Sequence, residues 1–511
     1  MFEKKKSYGS RQGSPRRLTD RQRTARTRQL QEARSMTKAD RQRAAGAQFD
    51  PTRRQSRSGG PRVTGLIVEE LGKALGSVLR LDGPADVLMS KFFRNNHKLG
   101  SRDRSMIAEA IFYTLRHLSS ISWQMKPIVP ARAPKLTAMV ALARIYGRDA
   151  LDAKTVGNDA QPLDNILRSK VENATALVQS ELPFWLFDRL NKQFGEGAND
   201  LFESMKEGAP LDLRVNLLKA KREEVLDALA EHGVEAFETP LSPDGVRLTT
   251  KPGLTSWPLY REGKIDVQDE GSQLIARLVQ PRRGEMVCDF CAGAGGKTLA
   301  LGALMRSTGR LYAFDVNEKR LAGMTPRMRR AGLSNVHPIA IKTERDTRVK
   351  RLVGKFDRVL VDAPCSGTGT LRRNPDLKWR MSEDELARIN EIQKNVLDSA
   401  SRLVKDGGRL VYATCSLLRE ENQGVVESFL EAHPDFVLVN AIDVLAMQGV
   451  ILPQCTQNEA PYFVMAPHQS GTDGFFGAVL ERRKPQAERE EKREEPEVES
   501  DQKNDDAGEN L

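Results

Sequence analysis

The spacing of apolar residues changes twice along the chain. From Val63 to about Met205 they recur at helical intervals, with Leu71, Leu75, Val78 and Leu79 on one face and Ile107, Ile111, Leu115 and Leu118 on another, which predicts an all-helical domain over 63–205. Ser101 and Asp103 offer oxygens to cap the second of these helices. Near Leu211 the period becomes two: Leu211, Leu213 and Val215 alternate with Asp212, Arg214 and Asn216, as in a half-buried strand. A helix over Lys221 to His232 closed by Gly233, then short strands at Val234 to Glu238 and Val246 to Thr249, complete a small α+β module over 206–265.

From Met286 onward short apolar runs alternate with amphipathic helices. The runs predict strands at Met286 to Phe290, Arg310 to Val316, His337 to Ile341, Phe356 to Val361 and Arg409 to Ala413, and a closing antiparallel pair at Tyr462 to Ala466 and Phe475 to Leu480. Such alternation gives a parallel α/β sheet covered on both faces, here over 266–482, whose ligands sit at the carboxyl ends of the strands.

Composition adds two tails. The chain has 511 residues, 39% of them hydrophobic, which is too long for one core. No run reaches the ~18 apolar residues of a membrane-spanning helix, and MFEKKKSYGS lacks the apolar core of a secretion signal. Five Cys without regular spacing read as reduced thiols, so a cytoplasmic protein is expected. Residues 1–62 hold 18 Lys and Arg against 5 Asp and Glu, a net of +13, with almost no apolar periodicity. That arm is expected to be disordered in isolation and suits a polyanion such as RNA, the blander readings being a solubilising tail or an Arg-rich transit peptide. Residues 481–511 hold 7 basic and 12 acidic groups, so 483–511 reads as a disordered acidic tail. His97 and His117 read as surface or core histidines, with no ligand cluster around them in sequence.

Three loops carry candidate chemistry. The first predicted strand runs into DFCAGAGGKT, Asp289 to Thr298, where Gly293, Gly295 and Gly296 permit a tight turn and close approach to a ligand before a helix begins. A phosphate loop is a near miss, because Cys291 stands where its opening glycine belongs, and a dinucleotide loop fails because Thr298 replaces its third glycine. An adenosine-type ligand without a triphosphate remains. Asp315, 20 residues beyond Gly295, can accept from ribose hydroxyls, or else cap the helix that follows. S-adenosylmethionine, with its positive sulfonium, suits acidic surroundings.

The other two loops, VDAPCSGTG at Val361 to Gly369 and VYATCS at Val411 to Ser416, each place a Cys just beyond a strand end. A thiolate can add to carbon-6 of a pyrimidine, making carbon-5 nucleophilic enough to take a methyl group. A second thiol, or a water it orients, can then serve removal of the carbon-5 proton, while Asp362 can hydrogen-bond the ring nitrogen. The alternatives are that Cys288 fills the core, or that Cys288, Cys291, Cys365 and Cys415 form a zinc site, which strand geometry disfavours. The segment LRRNPDLKWR, Leu371 to Arg380, sets basic groups and Trp379 beside the catalytic loop, where they can meet phosphates or stack on a base; the alternative is an ordinary basic loop with a packed Trp.

These motifs together resemble the Nop/Sun family of RNA (cytosine-5) methyltransferases. The likeness runs in order through LDLRVN, VQDEGSQLIA, DFCAGAGGKT, DVNEKRL, DAPCSGTGTLRRNPDLKW, YATCS followed by EEN at Glu420 to Asn422, and DGFF, and spans about residues 63–482. It is most similar to bacterial members acting on small-subunit (16S) ribosomal RNA. The resemblance implies a Rossmann-like class I methyltransferase sheet, an N-terminal helical domain like that of the antitermination factor NusB, and a small module that binds RNA. It further implies Cys415 as nucleophile, Cys365 as the residue needed for product release, and S-adenosylmethionine held by Cys291, Ala292, Gly293, Ala294, Gly295, Gly296, Lys297, Asp315 and Asp362. The order of the two thiols rests on the family, since DNA cytosine-5 methyltransferases would favour Cys365. The chain departs from the family where Gly293 and Ala294 replace Ala-Pro, and where Ile341 to Asp346 lacks the usual Asp directly after the third strand. The expected protein is a monomeric enzyme on RNA with no metal and no membrane. Its rivals are a non-catalytic RNA-binding ribosome assembly factor and a methyltransferase acting on tRNA.

Overall fold

The computed structural model describes residues 63–457 and 459–484. The basic arm over 1–62 and, apart from Arg483 and Lys484, the acidic tail lie outside the described residues.

The first part is helical. Leu71, Leu75, Ile107, Ile111 and Leu115 are fully buried in one core, together with Met139 and Leu142 from the helix Pro134–Tyr146. The helix Ser101–Arg116 starts without a side-chain cap, so Ser101 and Asp103 do not play the expected part. That first core ends near Ile166. The later helices Phe184–Phe194 and Ala198–Lys206 bury Leu186, Leu190, Leu201 and Phe202 in a different core, against Leu371, Leu386, Leu417 and Leu418. The helical region over 63–205 thus carries two cores. Periodicity reveals the apolar face of a helix but not the partner that covers it.

The small module is a four-stranded antiparallel sheet ordered β2-β3-β1-β4, formed by β1 (Leu211–Val215), β2 (Ala236–Glu238), β3 (Gly245–Leu248) and β4 (Ile265–Val267). Alternate residues Leu213, Val215, Val246 and Leu248 face the helix Arg222–Glu231, which buries Val225 and Leu229 against them. The strand β4 straddles the boundary expected at 265, so the module ends a few residues later than the sequence suggests.

The large sheet is ordered β10-β12-β9-β8-β5-β6-β7, with β11 pairing on β12. Its parallel part is β5 (Met286–Asp289), β6 (Arg310–Asp315), β7 (Val336–Ala340), β8 (Phe356–Asp362) and β9 (Val404–Thr414). The antiparallel part is β10 (Phe436–Val439), β11 (Phe463–Met465) and β12 (Phe475–Arg482). The pairing expected between the last two strands is present, but β12 is inserted between β9 and the unforeseen β10 and does not end the sheet. Separate cores cover the two faces, one with Leu274, Leu301 and Leu360, the other with Phe314, Val359 and Tyr412. Strand order reverses between β5 and β8, which opens a crevice at their carboxyl ends.

Candidate active site

The crevice collects the ends of β5, β6, β8 and β9. Beyond β5 the chain turns through Gly293 (φ 56°) and Gly295 (φ 85°), a left-handed conformation that disfavours side chains. A Cβ at Gly293 would meet the Arg320 guanidinium at 2.6 Å, and one at Gly295 would meet Met324 Cγ at 2.5 Å. The helix Gly296–Leu304 then begins. At the end of β6, Asp315 accepts from Gly293 N at 2.6 Å and from Asn317 N at 2.7 Å. The helix Glu318–Ala322 is capped by Asn317, so the capping alternative for Asp315 passes to its neighbour. The Asp315 carboxylate ties the glycine turn to the sheet and retains lone pairs for hydroxyl donors. Ala292 N bonds Phe314 O at 2.8 Å, while Ala294 O and Gly296 O accept from Arg327 at 2.6 Å and Arg214 at 2.8 Å. The small module therefore touches this loop through Arg214. A glycine turn too close to its neighbours for side chains at Gly293 and Gly295, with the Asp315 carboxylate bonded to it, fits an adenosyl group.

Deeper in the crevice Lys297 Nζ lies 2.7 Å from Asp362 Oδ2. Burial is the largest single influence and works against its charge, but the bonded Asp362 carboxylate and the acidic groups around it together raise the Lys297 pKa. Phe475 lies beside the ammonium, its ring centre 5.7 Å away. Asp289, wholly buried at the end of β5, accepts from Thr298 Oγ1 at 2.6 Å. Burial, with Asp362 nearby, pushes its carboxyl up to about 7. Cys288 is core, as expected. Burial and the surrounding carboxylates hold the Cys291 thiol well above its ordinary value, so it stays protonated. Among the described residues no cluster of His, Cys, Asp or Glu could hold a metal ion.

The two thiols of the strand-end loops meet. Cys365 Sγ and Cys415 Sγ are 3.3 Å apart, within hydrogen-bond reach for sulfur, and both residues remain partly accessible. The bond to Cys415, reinforced by burial, raises the Cys365 thiol far above a free thiol, and either sulfur can be the donor in the pair. Gly369 N donates to Cys415 O at 2.9 Å, and Gly474 N donates to Gly369 O at 2.8 Å. The loops approach so closely that a Cβ on Gly369 would strike Cys415 O at 2.8 Å and the Gly474 carbonyl nearer still.

The segment 371–380 does not line the crevice. Trp379 Nε1 donates to Leu115 O at 2.7 Å, its ring packs on the helical core, and Lys378 Nζ donates to Arg116 O at 2.9 Å. Arg373 bridges Asp269 at 2.7 Å and Asp473 at 2.5 Å, and Arg372 bonds the carbonyls of Gly471 and Gly208. The packed-Trp alternative is the observed one: these side chains fasten the helical domain and the small module to the sheet. His117, likewise, is a half-buried partner of the buried Glu181 at 3.6 Å. Sequence reasoning gave no role to Glu421, whose carboxylate is buried behind both thiol loops; the EEN triplet after Cys415 was its only visible signal.

Comparison with known proteins agrees with this geometry. The family described as 16S rRNA methyltransferase RsmB/F matches residues 276–481, and a ferredoxin-like domain of Methyltr_RsmF/B-like proteins matches residues 182–254. Ribosomal RNA small subunit methyltransferase B of Klebsiella pneumoniae subsp. pneumoniae is 32% identical over 76% of this chain and 92% of its own length. Probable ribosomal RNA small subunit methyltransferase B of Bacillus subtilis strain 168 is 30% identical over 79% of this chain and 96% of its own. The crystal structure of PH0851 has a TM-score of 0.69 at 27% identity, over 83% of this chain and 100% of that one. Among the described residues no helix is long and apolar enough to cross a membrane. By these likenesses the chain belongs to the Nop/Sun family of methyltransferases, in the branch described as 16S rRNA methyltransferase RsmB/F.

Proposed function

We propose that the protein methylates carbon-5 of a cytosine in small-subunit ribosomal RNA, with Cys415 as nucleophile and Cys365 assisting product release. The observation that carries this reading is the 3.3 Å approach of the two sulfurs beside the Lys297–Asp362 pair. Bound S-adenosylmethionine supplies a methyl group on a positively charged sulfur. Asp315 and the loop Cys291, Ala292, Gly293, Ala294, Gly295 and Gly296 form its cradle, with Lys297 and Asp362 at the reacting end.

The target cytosine leaves its stack to reach the crevice. The Cys415 thiolate forms a bond to carbon-6, and the displaced ring electrons give carbon-5 the density to take the methyl group. The Asp362 carboxylate accepts from the exocyclic amine, and the Lys297 ammonium offsets negative charge on the ring. The carbon-5 proton then passes to a water ordered by Cys365. Its bonding electrons restore the ring double bond, and the carbon–sulfur pair returns to Cys415. The S–H of Cys365 stabilises the departing thiolate, a role that its protonated state supports.

Labelled methyl transfer from S-adenosylmethionine to unmethylated small-subunit RNA tests the proposal. The intact protein should label one cytosine at carbon-5, and Cys415→Ala should lose all transfer. Full activity in that variant, or cofactor binding without any transfer in the intact protein, defeats the reading; the second result is that of a non-catalytic assembly factor.

A further inference from the structure

The two thiol loops leave different strands, β8 and β9, and a buried carboxylate stands behind both. Glu421 is fully buried in the short turn Arg419–Glu421, and among the described residues no cationic side chain pairs with it. Its Oε1 accepts from Ser366 N at 2.8 Å and from Gln393 Nε2 at 3.0 Å. Its Oε2 accepts from Ser366 Oγ at 2.5 Å and from Ser416 Oγ. Ser366 and Ser416 are the residues that directly follow the two cysteines. The turn is itself anchored: Tyr412 Oη donates to the Glu421 carbonyl at 2.7 Å, Asn422 Nδ2 to Ser416 O at 3.0 Å, and Thr414 Oγ1 to Asn422 Oδ1 at 2.5 Å.

A charge buried without a counter-ion is costly, and apolar packing stabilises a fold at least as well. Four donors on one carboxylate, two from Ser366, one from Ser416 and one from Gln393, therefore point to a task other than stability. We infer that Glu421 is a positioning residue: it holds the Cys365 and Cys415 loops in register, so that Cys415 is presented for attack with Cys365 beside it. The inference deepens the proposed function and rests on its division of labour between the thiols. The negative charge of Glu421 adds to the bond from Cys415 and to burial in raising the Cys365 thiol.

The test uses the full chain. Alkylation of each cysteine by iodoacetamide, read by mass spectrometry across pH, reports its ionisation, and thermal melting reports folding. Glu421→Gln keeps the size and most of the bonds but removes the charge. It should melt within a few degrees of the parent, lower the pH midpoint of Cys365 alkylation by about one unit, and slow methyl transfer at least ~tenfold. An unchanged Cys365 midpoint in the folded variant overturns the inference. A second pair of substitutions, Ser366→Ala with Ser416→Ala, deletes the hydroxyl donors and leaves the carboxylate. Diamide, which oxidises two adjacent thiols to a disulfide and is reduced to a hydrazine, should then join Cys365 to Cys415 several-fold more slowly. An unchanged rate likewise overturns it. Neither thiol assay needs RNA, so failure of the proposed reaction on cytosine and failure of the clamp give different results.

Discussion

Two basic or polar stretches of this chain lie only a few residues apart and do opposite things. Val361 to Gly369 leaves the end of β8 and delivers Asp362 and Cys365 to the crevice. Leu371 to Arg380 follows at once, richer in cations and carrying Trp379, and turns its side chains away into domain contacts. The first stretch owes its place to topology, because the carboxyl end of a parallel strand beside the order reversal opens into the crevice. The second has only composition to recommend it, and composition does not say whether a cation faces solvent or a carbonyl. Arg373 finds two carboxylates and Lys378 a backbone oxygen, so neither is available as a phosphate contact in this arrangement.

The sharpest way to test the chemical half of this contrast is Cys365→Ala. Removal of the assisting thiol should cut turnover at least ~100-fold while leaving the carbon–sulfur bond from Cys415 able to form. A denaturing gel should show protein shifted by attached RNA. Turnover at the parent rate, or loss of activity without a shifted band, removes Cys365 from product release.

The structural half is tested by Trp379→Ala. Loss of the packed indole and its bond to Leu115 O should cost about 3 kcal/mol, at the lower end for a large aromatic because Trp379 is only partly buried. Denaturant unfolding measures it. RNA affinity at fixed salt should change only through loosened docking, with its dependence on salt unaltered, whereas deletion of residues 1–62 should flatten that dependence by removing phosphate contacts. If Trp379→Ala leaves stability untouched and weakens binding to RNA, the segment belongs to the substrate surface after all.

The same contrast explains what was legible in the sequence. The strands β5, β6, β7 and β8 fall within a residue or so of their expected limits, and β5, β6 and β8, which lie inside the sheet, read as largely apolar runs. The strand β9 begins five residues early, at Val404, since Lys405, Asp406, Gly407 and Gly408 disguise its first part as a loop. The strands β4 and β10, of three and four residues, have no counterpart among the expected strands. At the site, each Cys was findable because it follows a strand end. Glu421 was not, because Ser366 and Gln393 lie 55 and 28 residues away and only folding brings them together. The division of the helical region had the same cause: Leu186 and Leu201 are periodic like Leu71 and Leu75, yet they pack on Leu417 and Leu418 of the catalytic domain.

The smallest expected effects separate the two regions by the sign of their response to pH. Asp289, in the crevice, is raised to about 7 by burial, against an unfolded carboxyl near ~3.9. Below the lower value both states hold the proton; between the two values only the folded state must keep it, so stability falls as pH rises from ~4 to about 7. Asp289→Asn should flatten that fall, leaving the shares of Glu270 and Asp473, which burial also raises to about 7. Lys378, in the segment Leu371 to Arg380, is lowered to about 7 by burial, against an unfolded amine near ~10.4. Here the unfolded chain holds a proton that the folded chain sheds, so stability rises with pH from about 7 to ~10.4, and Lys378→Met should remove the rise. Melting temperatures of the three proteins across both windows measure these slopes, each a matter of a few degrees. A Lys378→Met curve parallel to the parent above neutral pH would mean that water reaches the ammonium and that the segment is less tightly closed against the helical domain than its bond to Arg116 O implies.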